Sequence, residues 1–250
     1  MRFCIPIPCF FSNLDFCEAI KKVASLGFDA VETYDWTALD LDAVRSACLE
    51  NGVELLSMCT TEFNMTAPEY RRKWLDGLLE SCKAATRVGA KRLITQVGAD
   101  TGEARAYQHE SIVAALKAAR PILDEYDVTV MIEPLNVLVD HPGYYLIKSG
   151  EAFDIVREAD DPHVKVVYDV YHQQISEGNI IPSIINNLDF IAHLHSAGHP
   201  GRCELQFGES DYKVIFKAVD SAGYTGACGL EYHPKLESTE SLEVFKHIYL

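Results

Sequence analysis

Hydrophobic positions along the chain follow two alternating periods. Short runs rich in β-branched residues, such as 129–133 and 164–169, are followed by longer segments in which apolar residues recur every three to four positions. The short runs predict buried strands, and the longer segments predict helices with one apolar face. Eight strand–helix units follow one another without a linker or low-complexity stretch. The pattern therefore predicts a single domain over residues 1–250.

The predicted strands and helices alternate regularly, which is typical of a parallel sheet covered by helices. Asn13 is expected to cap the first helix and Gly89 to end the long helix at 68–88. Eight units in 250 residues favour an α/β fold of the closed (β/α)₈ type, a TIM barrel. No GxGxxG motif follows an early strand, which argues against a dinucleotide-binding sheet. The predicted strands are 3–5, 30–33, 53–59, 92–96, 129–133, 164–169, 190–195 and 227–231.

The last four predicted strands each end in a residue that can bind a metal. The active sites of TIM barrels lie at the C-terminal ends of the strands. Side chains alternate along a strand. If these four point into the barrel, Met131 lies below the first and Val167 below the second, while His193 and Ile191 lie below the third and Gly229 below the fourth. The helix-facing positions of the same strands are mainly apolar, as a layer between sheet and helices requires. The four strand-end residues are Glu133, Asp169, His195 and Glu231.

Three carboxylates and an imidazole that converge in a buried barrel mouth would destabilise one another through repulsion and loss of solvation. A divalent cation removes that cost. A ligand set rich in oxygen with a single histidine suits Mn²⁺, Mg²⁺ or Co²⁺ better than Zn²⁺. The sequence therefore predicts one divalent metal ion as cofactor, held by Glu133, Asp169, His195 and Glu231.

Charge and composition narrow the classes of function. The formal net charge is −15, and the 22 basic residues form no stripe, which argues against a nucleic-acid partner. No apolar run approaches the roughly 20 residues needed to span a membrane. The 8 cysteines include no CxxC pair, so buried reduced thiols in a cytoplasmic protein are expected. The oligomeric state is left open between a monomer and a homo-oligomer.

Four segments near the ends of the last four predicted strands form a distinctive set. They are Glu133-Pro134-Leu135-Asn136, Tyr168-Asp169-Val170-Tyr171-His172 with Glu177-Gly178-Asn179, Ala197-Gly198-His199-Pro200-Gly201-Arg202, and Gly229-Leu230-Glu231-Tyr232-His233-Pro234. Together they resemble the hydroxypyruvate isomerase family, and the resemblance extends over essentially the whole chain. That family belongs to the xylose isomerase-like TIM barrels, beside the ketose 3-epimerases and the inosose dehydratases.

The resemblance implies the same four metal ligands, with Glu133 and Glu231 also acting as acid and base. It further implies that His172 and Arg202 bind the substrate. Two positions depart from the family patterns. Hydroxypyruvate isomerases commonly carry Gln where His195 stands, whereas ketose epimerases carry His, and Val139 lies at or near a position where the epimerases use a substrate-binding Glu.

The predicted function is a metal-dependent isomerase of the aldose–ketose type. It would interconvert a small hydroxy-aldehyde and a hydroxy-ketone through an enediolate, as hydroxypyruvate isomerase does. A ketose 3-epimerase or an inosose dehydratase that uses the same metal site is the alternative. The exact substrate, its stereochemistry and the identity of the metal stay open from the sequence.

Overall fold

Eight parallel strands pair in chain order, and the last closes onto the first to form a barrel. The computed structural model describes residues 1–250. This arrangement confirms the predicted (β/α)₈ TIM barrel. The strands are β1 Arg2–Pro6, β2 Ala30–Thr33, β3 Glu54–Cys59, β4 Arg92–Thr95, β5 Thr129–Ile132, β6 Val164–Asp169, β7 Ile191–Ser196 and β8 Ala227–Leu230.

Helices follow the strands and cover the outside of the barrel. None of them is both long enough and apolar enough to cross a membrane. Three short 3₁₀ segments, Pro68–Tyr70, Leu188–Phe190 and Leu205–Phe207, accompany them. The helices are α1 Ile7–Phe10, α2 Phe16–Ser25, α3 Leu41–Asn51, α4 Arg71–Val88, α5 Arg105–Tyr126, α6 Ser149–Ala159, α7 Val170–Ser176, α8 Ile180–Ile185, α9 Tyr212–Ser221 and α10 Ser238–Tyr249.

The helix ends follow from local side-chain chemistry. Gly89 ends α4 in a left-handed conformation with φ of 86°, as expected from its position. The prediction that Asn13 caps α2 is wrong. Asp15 caps this helix, because its carboxylate accepts hydrogen bonds from the backbone N–H groups of Cys17 and Glu18 at 2.9 and 3.2 Å.

Most of the core lies between the barrel and its helices. One cluster of 65 buried hydrophobic residues fills this layer. Two small apolar clusters lie within the barrel, one of them formed by Cys59, Ile94, Met131 and Val167. The inward direction predicted for Met131 and Val167 is therefore confirmed, and these side chains form the apolar part of the interior below the ends of the strands.

The predicted inward direction of Ile191 is wrong, and the cause is an irregularity between β6 and β7. Val166 pairs with Ile191 and Val167 pairs with His193, which leaves Ala192 as an extra residue in β7. Such a bulge shifts the alternation of side chains by one position. Ile191 therefore packs in the outer layer, while Ala192 packs against the inner cluster. Beyond the bulge, the alternation directs His193 and His195 into the barrel.

The eight cysteines are all free thiols, and six of them are buried. None forms a disulfide bond. The stability of the fold therefore depends on the packing of the apolar layer between helices and barrel.

Two leucine substitutions test this dependence. Leu78 in α4 is fully buried, whereas Leu49 in α3 is 70% exposed. We expect Leu78→Ala to lower the free energy of unfolding by about 2–5 kcal/mol, since it leaves a cavity. Leu49→Ala is expected to change it by less than about 0.5 kcal/mol. Urea unfolding followed by circular dichroism measures both, and equal losses in the two variants would contradict this account of the core.

Candidate active site

The four strand-end residues converge at the C-terminal mouth of the barrel. His195 stands opposite Asp169 of β6 and Gly229 of β8 in the strand register. Glu133 and Glu231 each follow directly after the last residue of a strand, β5 and β8. Nδ1 of His195 lies 3.4 Å from Oε1 of Glu133 and 3.4 Å from Oε2 of Glu231. One imidazole nitrogen therefore faces two carboxylates.

Asp169 ends β6 and at the same time caps α7. Its Oδ1 accepts a hydrogen bond of 2.8 Å from the backbone N–H of Tyr171, which holds the carboxylate in one orientation. The other oxygen, Oδ2, is buried, has no hydrogen-bond partner and lies 3.5 Å from Nε2 of His172. Burial raises the pKa of Asp169 to about 7, and the nearby charge of Glu231 adds to this effect.

Glu133, Asp169, His172 and Glu231 each place one potential ligand atom within 4.8 Å of the others. Oε1 of Glu133 and Nδ1 of His195 are buried without a hydrogen-bond partner, like Oδ2 of Asp169. Buried polar atoms are normally paired, so three unpaired atoms in one place call for an explanation such as a bound ion. The cluster is therefore a candidate metal centre.

Arg202 brings a positive charge to this cluster. Its Nη2 lies 2.5 Å from Oε2 of Glu231, and its Nη1 lies 3.8 Å from Oδ1 of Asp140. The guanidinium also stacks over the ring of Tyr171, with its carbon 5.1 Å from the ring centre. Burial opposes the charge of Glu231, but His195 and Arg202 outweigh it and hold the pKa of Glu231 well below its usual range.

The backbone at Arg202 is held in an unusual conformation. Its φ is 46°, in the left-handed region that residues with a side chain rarely adopt. A tight turn imposes this conformation, since Gly198 and Cys203 exchange two backbone hydrogen bonds of 2.7 and 3.1 Å. The carbonyl of Arg202 also accepts a hydrogen bond of 2.8 Å from the N–H of His233. The turn after β7 therefore directs the guanidinium towards the mouth of the barrel.

His172 is held by Asn136, which follows β5. The Asn136 side-chain oxygen accepts hydrogen bonds from the N–H groups of Val139 and Asp140 at 2.9 and 3.2 Å. Its Nδ2 then donates to Oδ2 of Asp140 and to Nδ1 of His172, both at 2.7 Å. Burial, together with the charge of Arg202, lowers the pKa of His172 to about 3. His172 is therefore neutral, and its proton lies on Nε2, the nitrogen that faces Asp169.

A cavity of about 300 Å³ opens above these residues. Its wall includes apolar residues, among them Phe63, Ile94 and Leu135, as well as polar ones. This volume is at the lower end of the usual range for ligand pockets, about 300–1,000 Å³, so a small ligand fits best. Cys9, Tyr34, Cys59, Gln96, Glu133, His141, His172, His195, Arg202, Glu231 and His233 complete the lining.

The structure brings together most of the residues singled out from the sequence. Glu133, Glu231, His172, His195 and Arg202 line one cavity, and Asp169 lies at its base within ligand distance. Sequence reasoning missed the positions that orient these side chains. Asn136 was part of a motif but had no assigned role, while Asp140 lies in a loop whose sequence gave no signal. Glu32 was visible only as a polar residue within a strand.

Comparison with known proteins places the chain in a family. The sequence profile of the family described as xylose isomerase-like TIM barrel matches residues 20–248. The chain belongs to this family. Across 97% of its length it is 27% identical to the hydroxypyruvate isomerase of Escherichia coli, of which 97% is covered. It is 29% identical to the 2-oxo-tetronate isomerase of Cupriavidus necator, with 96% of each chain covered.

A solved structure shares the whole architecture. The crystal structure described as AP endonuclease, family 2, from Brucella melitensis superposes on this chain with a TM-score of 0.90 and 25% sequence identity. The alignment covers 100% of this chain and 99% of that structure. The family profile and this structure both agree with the closed eight-strand barrel.

The hydrogen bonds of Asn136 give the first test of the site. Asn136→Asp replaces the amide group that donates to His172 and Asp140 with a carboxylate oxygen, which repels Asp140 and leaves Nδ1 of His172 only the longer hydrogen bond from the backbone N–H of residue 136. We expect the free energy of unfolding to fall by about 1–3 kcal/mol. Asn13→Asp at an exposed position is the control, with an expected change below about 0.5 kcal/mol. Unchanged urea unfolding of Asn136→Asp would show that these hydrogen bonds do not form.

Proposed function

We propose that this protein is an isomerase that interconverts a small hydroxy-aldehyde and a hydroxy-ketone through an enediolate, as hydroxypyruvate isomerase does. The observation that carries the proposal is the placement of two carboxylates, Glu133 and Glu231, each 3.4 Å from the same ring nitrogen of His195, at the base of a small cavity. Two carboxylates that face one substrate can remove a proton and return it. The names of the two relatives support the same class of reaction.

A divalent cation fits the residues at the base of the cavity. The unpaired oxygens of Glu133 and Asp169 and the unpaired Nδ1 of His195 are the donor types that Mn²⁺, Mg²⁺ and Co²⁺ accept. We assign Glu133, Asp169, His195 and Glu231 as the residues that would hold it. The cation would act as a Lewis acid that stabilises negative charge on the substrate oxygens.

His195 fits the role of metal ligand better than His172. A neutral imidazole offers a lone pair on one nitrogen only. Nδ1 of His172 already accepts hydrogen bonds from Asn136, so its Nε2 carries a proton and has no lone pair to give. Nδ1 of His195 has no hydrogen-bond partner and faces Glu133 and Glu231. His172 would instead donate its Nε2–H to a substrate oxygen.

The proton steps follow from these positions. The carboxylate of one glutamate, Glu133 or Glu231, accepts the proton from the hydroxyl-bearing carbon of the substrate, and the C–H electron pair becomes the double bond of the enediolate. A carboxylate then delivers a proton to the former carbonyl carbon. The hydroxyl proton moves to the other oxygen, so that carbonyl and hydroxyl exchange places. No redox cofactor takes part. Phe63 and Ile94 contribute apolar surface to the cavity in which these steps take place.

Arg202 is the residue we propose for an anionic group of the substrate. It is the one arginine in the cavity wall, and no lysine accompanies it. Hydroxypyruvate and 2-oxo-tetronate, the compounds in the names of the two relatives, are both carboxylates. The guanidinium already pairs with Glu231, so a substrate carboxylate would share it rather than meet a free charge.

A ketose 3-epimerase or an inosose dehydratase is the second candidate. Position 195 favours it, because ketose epimerases carry His there. Two carboxylates on different sides of one carbon can remove and return a proton with inversion. Cleavage of DNA, which the name of the Brucella melitensis structure suggests, is disfavoured by the net charge of −15, since DNA binding depends on basic residues that neutralise phosphates.

The metal centre is tested by direct binding. We expect the protein to bind one Mn²⁺ or Co²⁺ per chain in titration calorimetry, and Glu133→Gln to lose most of the affinity because a charged ligand oxygen is removed. Glu54→Gln, at the opposite end of the barrel where Glu54 pairs with Arg2, is the control and should bind normally. Absence of binding by the wild-type protein would contradict the proposed centre.

The reaction is tested by turnover in D₂O, followed by NMR. Metal-loaded protein is offered hydroxypyruvate, 2-oxo-tetronate, ketohexoses and inosose. We expect one of the hydroxy-keto acids to isomerise. A carbon of the product should then carry either deuterium from the solvent or a hydrogen isotope transferred from the substrate. Glu231→Gln should lower kcat by about 10²–10⁴ because it removes the acid–base group. Epimerisation of a ketohexose or dehydration of inosose would favour the second candidate. If the product instead retained all of the hydrogen isotope from the substrate carbon and Glu231→Gln still turned over substrate, the reaction would proceed by hydride transfer.

A further inference from the structure

A second polar cluster lies in the barrel directly below the candidate metal centre. Glu32 of β2 is 1% exposed, and its two carboxylate oxygens face two imidazoles of β7. Oε1 lies 2.5 Å from Nε2 of His193, and Oε2 lies 3.1 Å from Nε2 of His195. A buried carboxylate is costly unless it is paired. Oε2 forms a hydrogen bond with Nε2 of His195, whereas Oε1 is in close contact with Nε2 of His193 without hydrogen-bond geometry.

His195 belongs to both clusters at once. Its Nε2 faces Glu32, and its Nδ1 faces Glu133 and Glu231. Because the hydrogen bond to Glu32 requires a proton on Nε2, the neutral ring has its lone pair on Nδ1. This is the tautomer that a metal ligand needs on the side of the two glutamates.

Gly229 provides the space for this contact. It stands beside His195 in the register of β7 and β8. A Cβ at position 229 would lie 2.7 Å from Cδ2 of His195 and 3.1 Å from Oε2 of Glu32. Both distances are shorter than a normal carbon contact, so the ring and the carboxylate occupy the place that a side chain would take. A glycine below Glu231 is therefore required by the orientation of His195.

We propose that Glu32 is a positioning residue of the metal centre, which fixes the ring orientation and the Nε2–H tautomer of His195 in the space that Gly229 leaves open. The proposal rests on the proposed function, because it needs His195 as a metal ligand. Histidine ligands commonly donate their second N–H to a carboxylate, and loss of that partner typically weakens metal binding by about 10- to 100-fold.

The test measures metal binding by the full-length protein. The dissociation constant for Mn²⁺ is determined for the wild type, Glu32→Gln, Gly229→Ala and Ser57→Ala. Glutamine keeps the shape of Glu32 but has one acceptor oxygen instead of two, so we expect affinity to fall by about 10- to 100-fold. Gly229→Ala keeps every charged group and displaces the ring, so it should weaken binding as well. Ser57 is the matched control, since it stands beside Glu32 in β3 and its hydroxyl has no hydrogen-bond partner.

The visible spectrum of bound Co²⁺ gives a second measurement that does not depend on activity. We expect Glu32→Gln and Gly229→Ala to alter the spectrum and Ser57→Ala to leave it unchanged. Circular dichroism establishes that each variant is folded, and Gly229→Ala tests the same contact if Glu32→Gln does not fold. If Glu32→Gln and Gly229→Ala both kept the wild-type affinity and spectrum, the positioning role of Glu32 would be overturned, but the metal centre would not. Failure of the wild type to bind Mn²⁺ would overturn the metal centre, and this role with it.

Discussion

The repulsion among three buried carboxylates is the constraint on which the candidate site depends. Glu133, Asp169 and Glu231 lie within ligand distance of one another at the mouth of the barrel. Within the protein, only His195 and Arg202 offset their charge, and burial still raises the pKa of Asp169 to about 7. The protein alone therefore does not favour full ionisation of all three groups. An arrangement of this kind is maintained when a cation or a substrate completes it.

Asp169 is oriented by a neighbour that does not itself line the cavity. The backbone N–H of Tyr171 holds one oxygen of Asp169 and leaves the other free. The tyrosine hydroxyl donates to Asp140 at 2.9 Å, and Asp140 in turn accepts from Asn136. The loop after β5 and the helix after β6 are therefore connected by hydrogen bonds. This connection determines which nitrogen of His172 carries the proton.

The two histidines near the candidate metal centre, His172 and His195, turn different ring nitrogens towards the cavity. Asn136 donates to Nδ1 of His172, so Nε2 is the donor that faces the cavity. Glu32 accepts from Nε2 of His195, so in the neutral ring, the form that binds a metal, Nδ1 offers a lone pair to the cavity. Two chemically identical side chains thus take different roles, one as a hydrogen-bond donor and one as a candidate ligand. The difference depends on neighbours that are more than 30 residues away in the chain.

The sequence by itself determined the barrel and the strand-end residues. Hydrophobic periodicity follows burial directly, so the eight strand–helix units could be predicted from it. The order of these units also predicted the end of the barrel at which Glu133, Asp169, His195 and Glu231 meet. Alternation of side chains predicted the direction of Met131 and Val167 for the same reason. It was wrong at Ile191, because a bulge depends on the pairing of two strands and not on the period of one.

Only the tertiary structure decided how the site residues are oriented. Glu32 and His195 are separated by 163 positions, and no local pattern connects them. The pairing of Arg202 with Glu231 depends on the turn after β7, whose conformation is set by backbone hydrogen bonds. The glycine below Glu231 was predicted to face inward, but the reason for it became visible only with the ring of His195 beside it. Periodicity records which side of a strand is buried, whereas the tautomer of a histidine depends on atoms that folding alone brings together.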